Sequence, residues 1–183
     1  PVTPADTIAP VYGSAAVNAA GTVLTLTYNE TLNSTTAIGT NFVVKVATVD
    51  RTVSAVAVSG STVELTLASV VGIGQAVTVA YTAPTANGAA SNNAIQDSAG
   101  NDAISFTSTT KTVTNSSNVD ITAPTYSSAA VNSVGTTLTL TYNEPLNATT
   151  AATTAFTVMA GSASIAVSSV TVVGSTVQLG LGS

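Results

Sequence analysis

Six of the eight carboxylates in this 183-residue chain, Asp6, Glu30, Asp97, Asp102, Asp120 and Glu144, fall in turns or at the ends of alternating apolar runs. The other two are simpler. Asp50 adjoins Arg51 and Glu64 points outward from a strand-like run, so both are solvated surface charges. Hard oxygen donors gathered without a cation repel one another, and Ca²⁺, which takes about 6 to 8 oxygens, is the natural neutralising partner. The segment NAIQDSAGND, Asn93 to Asp102, concentrates such donors: Gly100 permits a positive φ, and Asp97, Asn101 and Asp102 offer oxygens at short spacing. It lacks the alternating acidic spacing and terminal Glu of an EF-hand loop. Asx-rich turns also arise simply because Asp and Asn bond their own backbone.

Other chemistries are harder to build. With no His and no Cys, the chain cannot assemble a Ser/His/Asp triad, a thiolate nucleophile or a His-ligated zinc site. Glu30 and Asp97 could be imagined as a glycosidase pair, but a polar region poor in aromatics offers no sugar platform or deep apolar pocket. The chain is therefore expected not to be an enzyme. Three basic residues, Lys45, Arg51 and Lys111, cannot form a phosphate-binding track, so nucleic acid is excluded as a partner and an anionic membrane surface is disfavoured. Sequons at Asn29, Asn33, Asn115 and Asn147 carry little weight in so Thr- and Ser-rich a sequence.

The elements that must hold these groups read as strands. Leu24, Leu26 and Tyr28 alternate with Thr25, Thr27 and Asn29, and the same period of two recurs at Tyr12 to Val17, Phe42 to Val46, Val56 to Val58, Val63 to Leu67, Val77 to Tyr81 and Ile104 to Phe106. Long helix formers are scarce and β-branched and small residues abundant, which excludes a helical fold. Ser59-Gly60-Ser61 reads as a hairpin turn, and Ala83 to Asn93 as a polar loop. Although the mean hydropathy is +0.46, the apolar residues alternate with Thr and Ser, so no membrane insertion is expected.

The sequence also repeats itself. LTLTYNE occurs at Leu24 to Glu30 and again at Leu138 to Glu144, and the flanks follow at the same offset, 120 − 6 = 114, so that 37 of the 64 residue pairs between 6–69 and 120–183 are identical. A period this long marks whole domains in tandem rather than a solenoid. The expected organisation is a lead-in at 1–5, an immunoglobulin-like sandwich of about seven strands at 6–114, a linker at 115–119, and the first half of a second sandwich at 120–183. The fold class is thus all-β, tandem immunoglobulin-like β-sandwiches with the second copy incomplete. Asp6, Glu30 and the Asp97–Asp102 loop would lie at one pole, and Asp120 and Glu144 repeat the first two. The chain start, PVTPADTIAP, reads as a cut within a longer polypeptide. The half-domain raises two options: truncation, or completion by strands of a neighbouring copy.

TLTYNEPLN at Thr139 to Asn147, the strand at Phe156, SGSTVELTL at Ser59 to Leu67, QAVTVAYT at Gln75 to Thr82 and AIQDSAGNDA at Ala94 to Ala103 together resemble the SwmB-type repeat of long bacterial surface proteins, within the broader bacterial immunoglobulin-like domains. Thr31, where the second copy has Pro145, departs from that pattern and leaves the turn after Glu30 less rigid. The resemblance implies a secreted, non-enzymatic module at the cell surface, repeated in adhesins, surface layers or fibres. The leading expectation is a structural module of a stalk, surface layer or filament, with Ca²⁺ at the joints and adjacent repeats or copies of itself as partners. The rivals are an adhesin domain gripping a glycan or protein with its polar loops, and an accessory domain of a secreted enzyme.

Overall fold

The computed structural model describes residues 6–34, 37–84, 93–107, 111, 113–149 and 151–182. The expected lead-in, 1–5, and most of the loop expected at Ala83 to Asn93 lie outside the described residues. The chain divides into two compact units, Pro1–Ile121 and Thr122–Ser183.

Unit 1 contains β1 (Tyr12–Val17), β2 (Val23–Tyr28), β3 (Phe42–Val46), β4 (Val49–Arg51), β5 (Val53–Ser59), β6 (Thr62–Leu67), β7 (Val77–Tyr81) and β8 (Val113–Asn115). They form a five-stranded sheet ordered β5-β6-β2-β1-β8 and a three-stranded sheet ordered β4-β3-β7. The first four strands of the larger sheet and all of the smaller one follow the immunoglobulin order. One continuous core joins both sheets: Val17, Leu24, Leu26, Val63 and Leu65 from one, Phe42, Val44, Val46, Val79 and Tyr81 from the other, all essentially buried. The period-two alternation makes this possible, because it sends one face of each strand inward.

Two expectations about strands change. Ile104 to Phe106 does not form a strand: Ile104 is 77% exposed, and Phe106 makes only an isolated bridge to Tyr81. The eighth strand is instead Val113–Asn115, running parallel to β1 with Ala15 against Val113 and Val17 against Asn115. The segment expected as the linker is tied to unit 1. Asn115 Nδ2 donates to the carbonyls of Gly72 and Gln75 at 2.9 Å each, buried Ser117 Oγ donates to Val71 O at 2.6 Å, and Ile73 N donates to Val119 O at 2.9 Å. Gly21, at φ +70°, lies directly beneath this tail; a Cβ there would stand 2.2 Å from Val71 O and 2.9 Å from Ser117 Oγ. Only glycine fits.

Unit 2 contains β9 (Tyr126–Val131), β10 (Thr137–Tyr142), β11 (Val158–Ala160), β12 (Ala163–Ile165), β13 (Val167–Val173) and β14 (Thr176–Leu181). Its sheets are ordered β13-β14-β10-β9 and β11-β12. Each strand sits at the 114-residue offset from one of β1 to β6, and the register is copied: Leu26 faces Val63, and Leu140 faces Val177. Even the bulge next to the first tyrosine recurs, Tyr12 with Tyr28 and Tyr126 with Tyr142. Among the described residues, no helix is long and apolar enough to cross a membrane.

Candidate metal centre

Three separate pieces of backbone bring the carboxylates of unit 1 together. Asp6 precedes β1, Glu30 follows β2, and Asp97 lies in the loop after β7. The lead-in is fixed by the turn residue Asn29: its Oδ1 accepts from Val11 N at 2.6 Å while its own backbone N–H donates to Val11 O at 3.1 Å. Asp6 Oδ1 accepts from Ile8 N at 2.9 Å, which turns the chain toward β1. The loop is anchored from the core side, where the buried Tyr81 hydroxyl accepts from Ile95 N at 2.8 Å. Asn33 N donates to Gln96 O at 2.8 Å, and Leu32 bridges Asp97, which ties the turn after Glu30 to the same loop.

One carboxylate oxygen from each of Asp6, Glu30 and Asp97 lies within 4.8 Å of the others. Their environments differ. Asp97 is only 2% exposed; burial alone pushes its carboxyl up, but hydrogen bonds from the Asn101 side chain and from the backbone N–H groups of Asn101, Ala99 and Gly100 outweigh it and hold the group below the usual carboxylate range. The Asn101 amide donates to Asp97 Oδ2 at 2.7 Å and its backbone N–H to Asp97 Oδ1 at 2.9 Å. Gly100, at φ +89°, makes the turn that permits this. Glu30 is the opposite case: desolvation first, then the negative charges of Asp97 and Asp6, push its carboxyl up. Its Oε1 is shielded from solvent and has no hydrogen-bond partner among the described residues. Two of the three basic side chains are engaged elsewhere, Lys45 with Asp50 and Lys111 over the Tyr12 ring at 4.7 Å.

Of the remaining expected ligands, Asn101 turns its amide nitrogen toward the cluster, donating also to Asp6 O at 3.1 Å, so it organises the carboxylates. Asp102 lies across a bridge from Gln96 and outside the three-carboxylate group. Asp120 is exposed in the tail of unit 1 and Glu144 is half-buried in unit 2, and neither belongs to the three-carboxylate group. Sequence reasoning overlooked Asn29 and Tyr81, which position the site. Asn29 had a signal: it recurs as Asn143, whose Oδ1 accepts from Thr125 N at 2.7 Å in the same arrangement.

The profile of a family described as a "putative flagellar system-associated repeat" (SWM repeat) matches residues 5–86 and again 119–183. The chain belongs to this repeat family. The two matched stretches begin at residues 5 and 119, 119 − 5 = 114 apart and one residue before Asp6 and Asp120, so the family boundary follows the sequence period. No curated protein matches the chain in sequence. Among solved structures, domains 1–6 of the surface layer protein SbsC align with a TM-score of 0.47 and 20% identity over 73% of this chain and 18% of that one. The N-terminal part of the bacterial S-layer protein SbsC aligns with a TM-score of 0.46 and 19% identity over 73% of this chain and 31% of that one. The chain thus spans less than a third of the length of either structure.

Proposed function

We propose that this chain is a structural module of a bacterial cell-surface or extracellular assembly, a stalk, layer or fibre built from tandem SWM repeats, and that Asp6, Glu30 and Asp97 hold Ca²⁺. The observation that carries the metal is the convergence of three carboxylates from three backbone segments, one with a solvent-shielded oxygen that has no hydrogen-bond partner among the described residues. Placing like charges in this way costs free energy unless a cation completes the group. The bound ion would tie the chain entering the repeat to the body of the sandwich, which stiffens a tandem array and adds no reactivity.

Several features support a mechanical role over a catalytic one: tandem repetition with copied register, no His or Cys in the sequence, and site residues fixed by backbone hydrogen bonds. The test is calorimetric titration of Ca²⁺ together with thermal melts in Ca²⁺ and in EGTA. A rise in melting temperature with Ca²⁺ is expected. An unchanged melt and no binding heat would remove the metal.

A further inference from the structure

The strand edges of unit 1 are not equally protected. A bare edge offers unpaired N–H and C=O groups to another chain, and proteins blunt it with short strands, charge, proline or a covering segment. β4 and β8 have three residues each, and β4 carries Asp50 and Arg51. β7 is met by Phe106, whose backbone N–H donates to Tyr81 O at 2.9 Å and whose carbonyl accepts from Tyr81 N at 3.0 Å. β5 lacks such guards along most of its length. It is the longest strand of unit 1, seven residues reading VSAVAVS with no charge and no proline, and among the described residues it pairs with β6 alone. Only its Val53 end is interrupted, by a bulge between Val53 and Ala55 and by Gly39, which lies against Val53.

The rest of that edge has a definite register. Ser59 and Thr62 close the hairpin across Gly60-Ser61 as a hydrogen-bonded pair, so by alternation Ala57 and Ala55 bond to Glu64 and Thr66, while Val56 and Val58 direct their N–H and C=O groups away from β6. The side chains of these two valines face the core beside Leu65 and Val63, yet they stay half-exposed at its rim. Ala55, Ala57 and Ser59 are small and exposed on the outer face.

We infer that β5 is the surface through which two copies of this chain join, edge to edge and antiparallel about a two-fold axis at Ala57. Val56 of each copy then faces Val58 of the other, which forms about four backbone hydrogen bonds and covers the rim valines. A second copy suits this edge because the strand carries no charge with which to repel itself. The acidic side chain on the neighbouring strand, Glu64, would stand three strand spacings from its equivalent, about 14 Å, beyond the screening length at physiological salt. At the 114-residue offset the sequence reads VSSVTVV, Val167 to Val173, again without charge or proline. Tandem repeats would therefore multiply a contact that is weak singly. The pairing joins chains side by side and does not depend on the metal.

The chain has no cysteine, so single thiols report the geometry. Ala57→Cys would bring two Cα atoms to about 4.5 Å, the separation of a non-hydrogen-bonded antiparallel pair and within disulfide reach. Under mild oxidation of the 183-residue protein in EGTA, Ala57→Cys should form a covalent dimer at least about tenfold faster than Thr27→Cys, which is exposed on the central strand β2 of the same sheet. Ala55→Cys alone should crosslink as slowly as Thr27→Cys, because Ala55 faces Ser59 of the other copy, whereas Ala55→Cys mixed with Ser59→Cys should crosslink quickly. Adding Val58→Pro, which removes an outward N–H and leaves the β5–β6 ladder intact, should slow the Ala57→Cys reaction at least about tenfold. Ala57→Lys, which places a charge on the axis, should shift the otherwise unsubstituted protein toward monomer in sedimentation. Equal crosslinking of Ala57→Cys, Ala55→Cys and Thr27→Cys would overturn the proposal. So would sedimentation of the unsubstituted protein at high concentration that is identical to that of Ala57→Lys.

Discussion

Leu26 and Leu140 occupy the same register position on the same strand of two copies of one repeat, yet Leu26 is fully buried while Leu140 is only half-buried. The residues around them are nearly the same, so the difference lies in what covers the sheet. The lesson is that the alternating pattern is sufficient to fold and register a sheet, whereas burial comes from the second layer. Unit 1 has that layer in β3, β4, β7 and the loop from Ala94 to Ala103; among the described residues unit 2 has the β11–β12 hairpin in its place.

The largest expected effect separates the two leucines. Leu26→Ala should cost unit 1 about 3 to 4 kcal/mol, and Leu140→Ala about 1 kcal/mol or less, because only the first leaves a closed cavity. Chemical denaturation of each variant checks this, and equal losses would break the comparison. Next comes the glycine pair. Gly21→Ala must displace the backbone of Val71 as well as adopt a positive φ, for an expected loss of about 2 to 3 kcal/mol, whereas Gly135→Ala bears only the φ penalty of about 1 kcal/mol.

Third is the acidic pair. Glu30→Gln should raise the melting temperature in EGTA and abolish the shift produced by Ca²⁺, while Glu144→Gln should leave that shift intact. The pH dependence of the metal-free protein sharpens it. Glu30 has a raised folded pKa, so its contribution is favourable when protonated and is lost as pH rises through that value; Asp97 has a lowered one, so its contribution is present above the ordinary Asp range and is lost as pH falls through the folded value. The melt in EGTA should therefore climb as pH drops from neutral toward the carboxylate range, then fall below about pH 4. Glu30→Gln should remove the climb and keep the fall.

The smallest effect is expected at the exposed Lys45–Asp50 pair, which unit 2 replaces with Met159 and Ser164. Lys45→Met should change stability by no more than about 0.5 kcal/mol, a difference that shrinks further as added salt screens the exposed pair.

Most of the sheet structure was legible from residue order. Strands such as Leu24 to Tyr28 announce themselves because one face must be apolar and the other polar, and the hairpin at Ser59-Gly60-Ser61 follows from Gly60 at φ +58°. β4 and β8 were not legible. Val49-Asp50-Arg51 is too short and polar to alternate, and Val113-Thr114-Asn115 has a single apolar residue whose value depends on a partner strand about 100 residues away in sequence. Ile104 to Phe106 alternated convincingly but found only one bridge. At the site, the acidic residues were visible as types, and Gly100 as a turn. What composition could not reveal was direction: whether Asn101 offers its oxygen or its nitrogen depends on hydrogen bonds that only the folded loop sets.

The parallel pairing of β1 with β8 has a further consequence. These strands lie near the two ends of the repeat, so a pull on its termini draws them lengthwise past each other. The backbone rungs between Ala15–Val17 and Val113–Asn115 then bear the load side by side, and they must break together instead of unzipping one at a time. A repeat held in this way resists tension at a place where few interactions are needed.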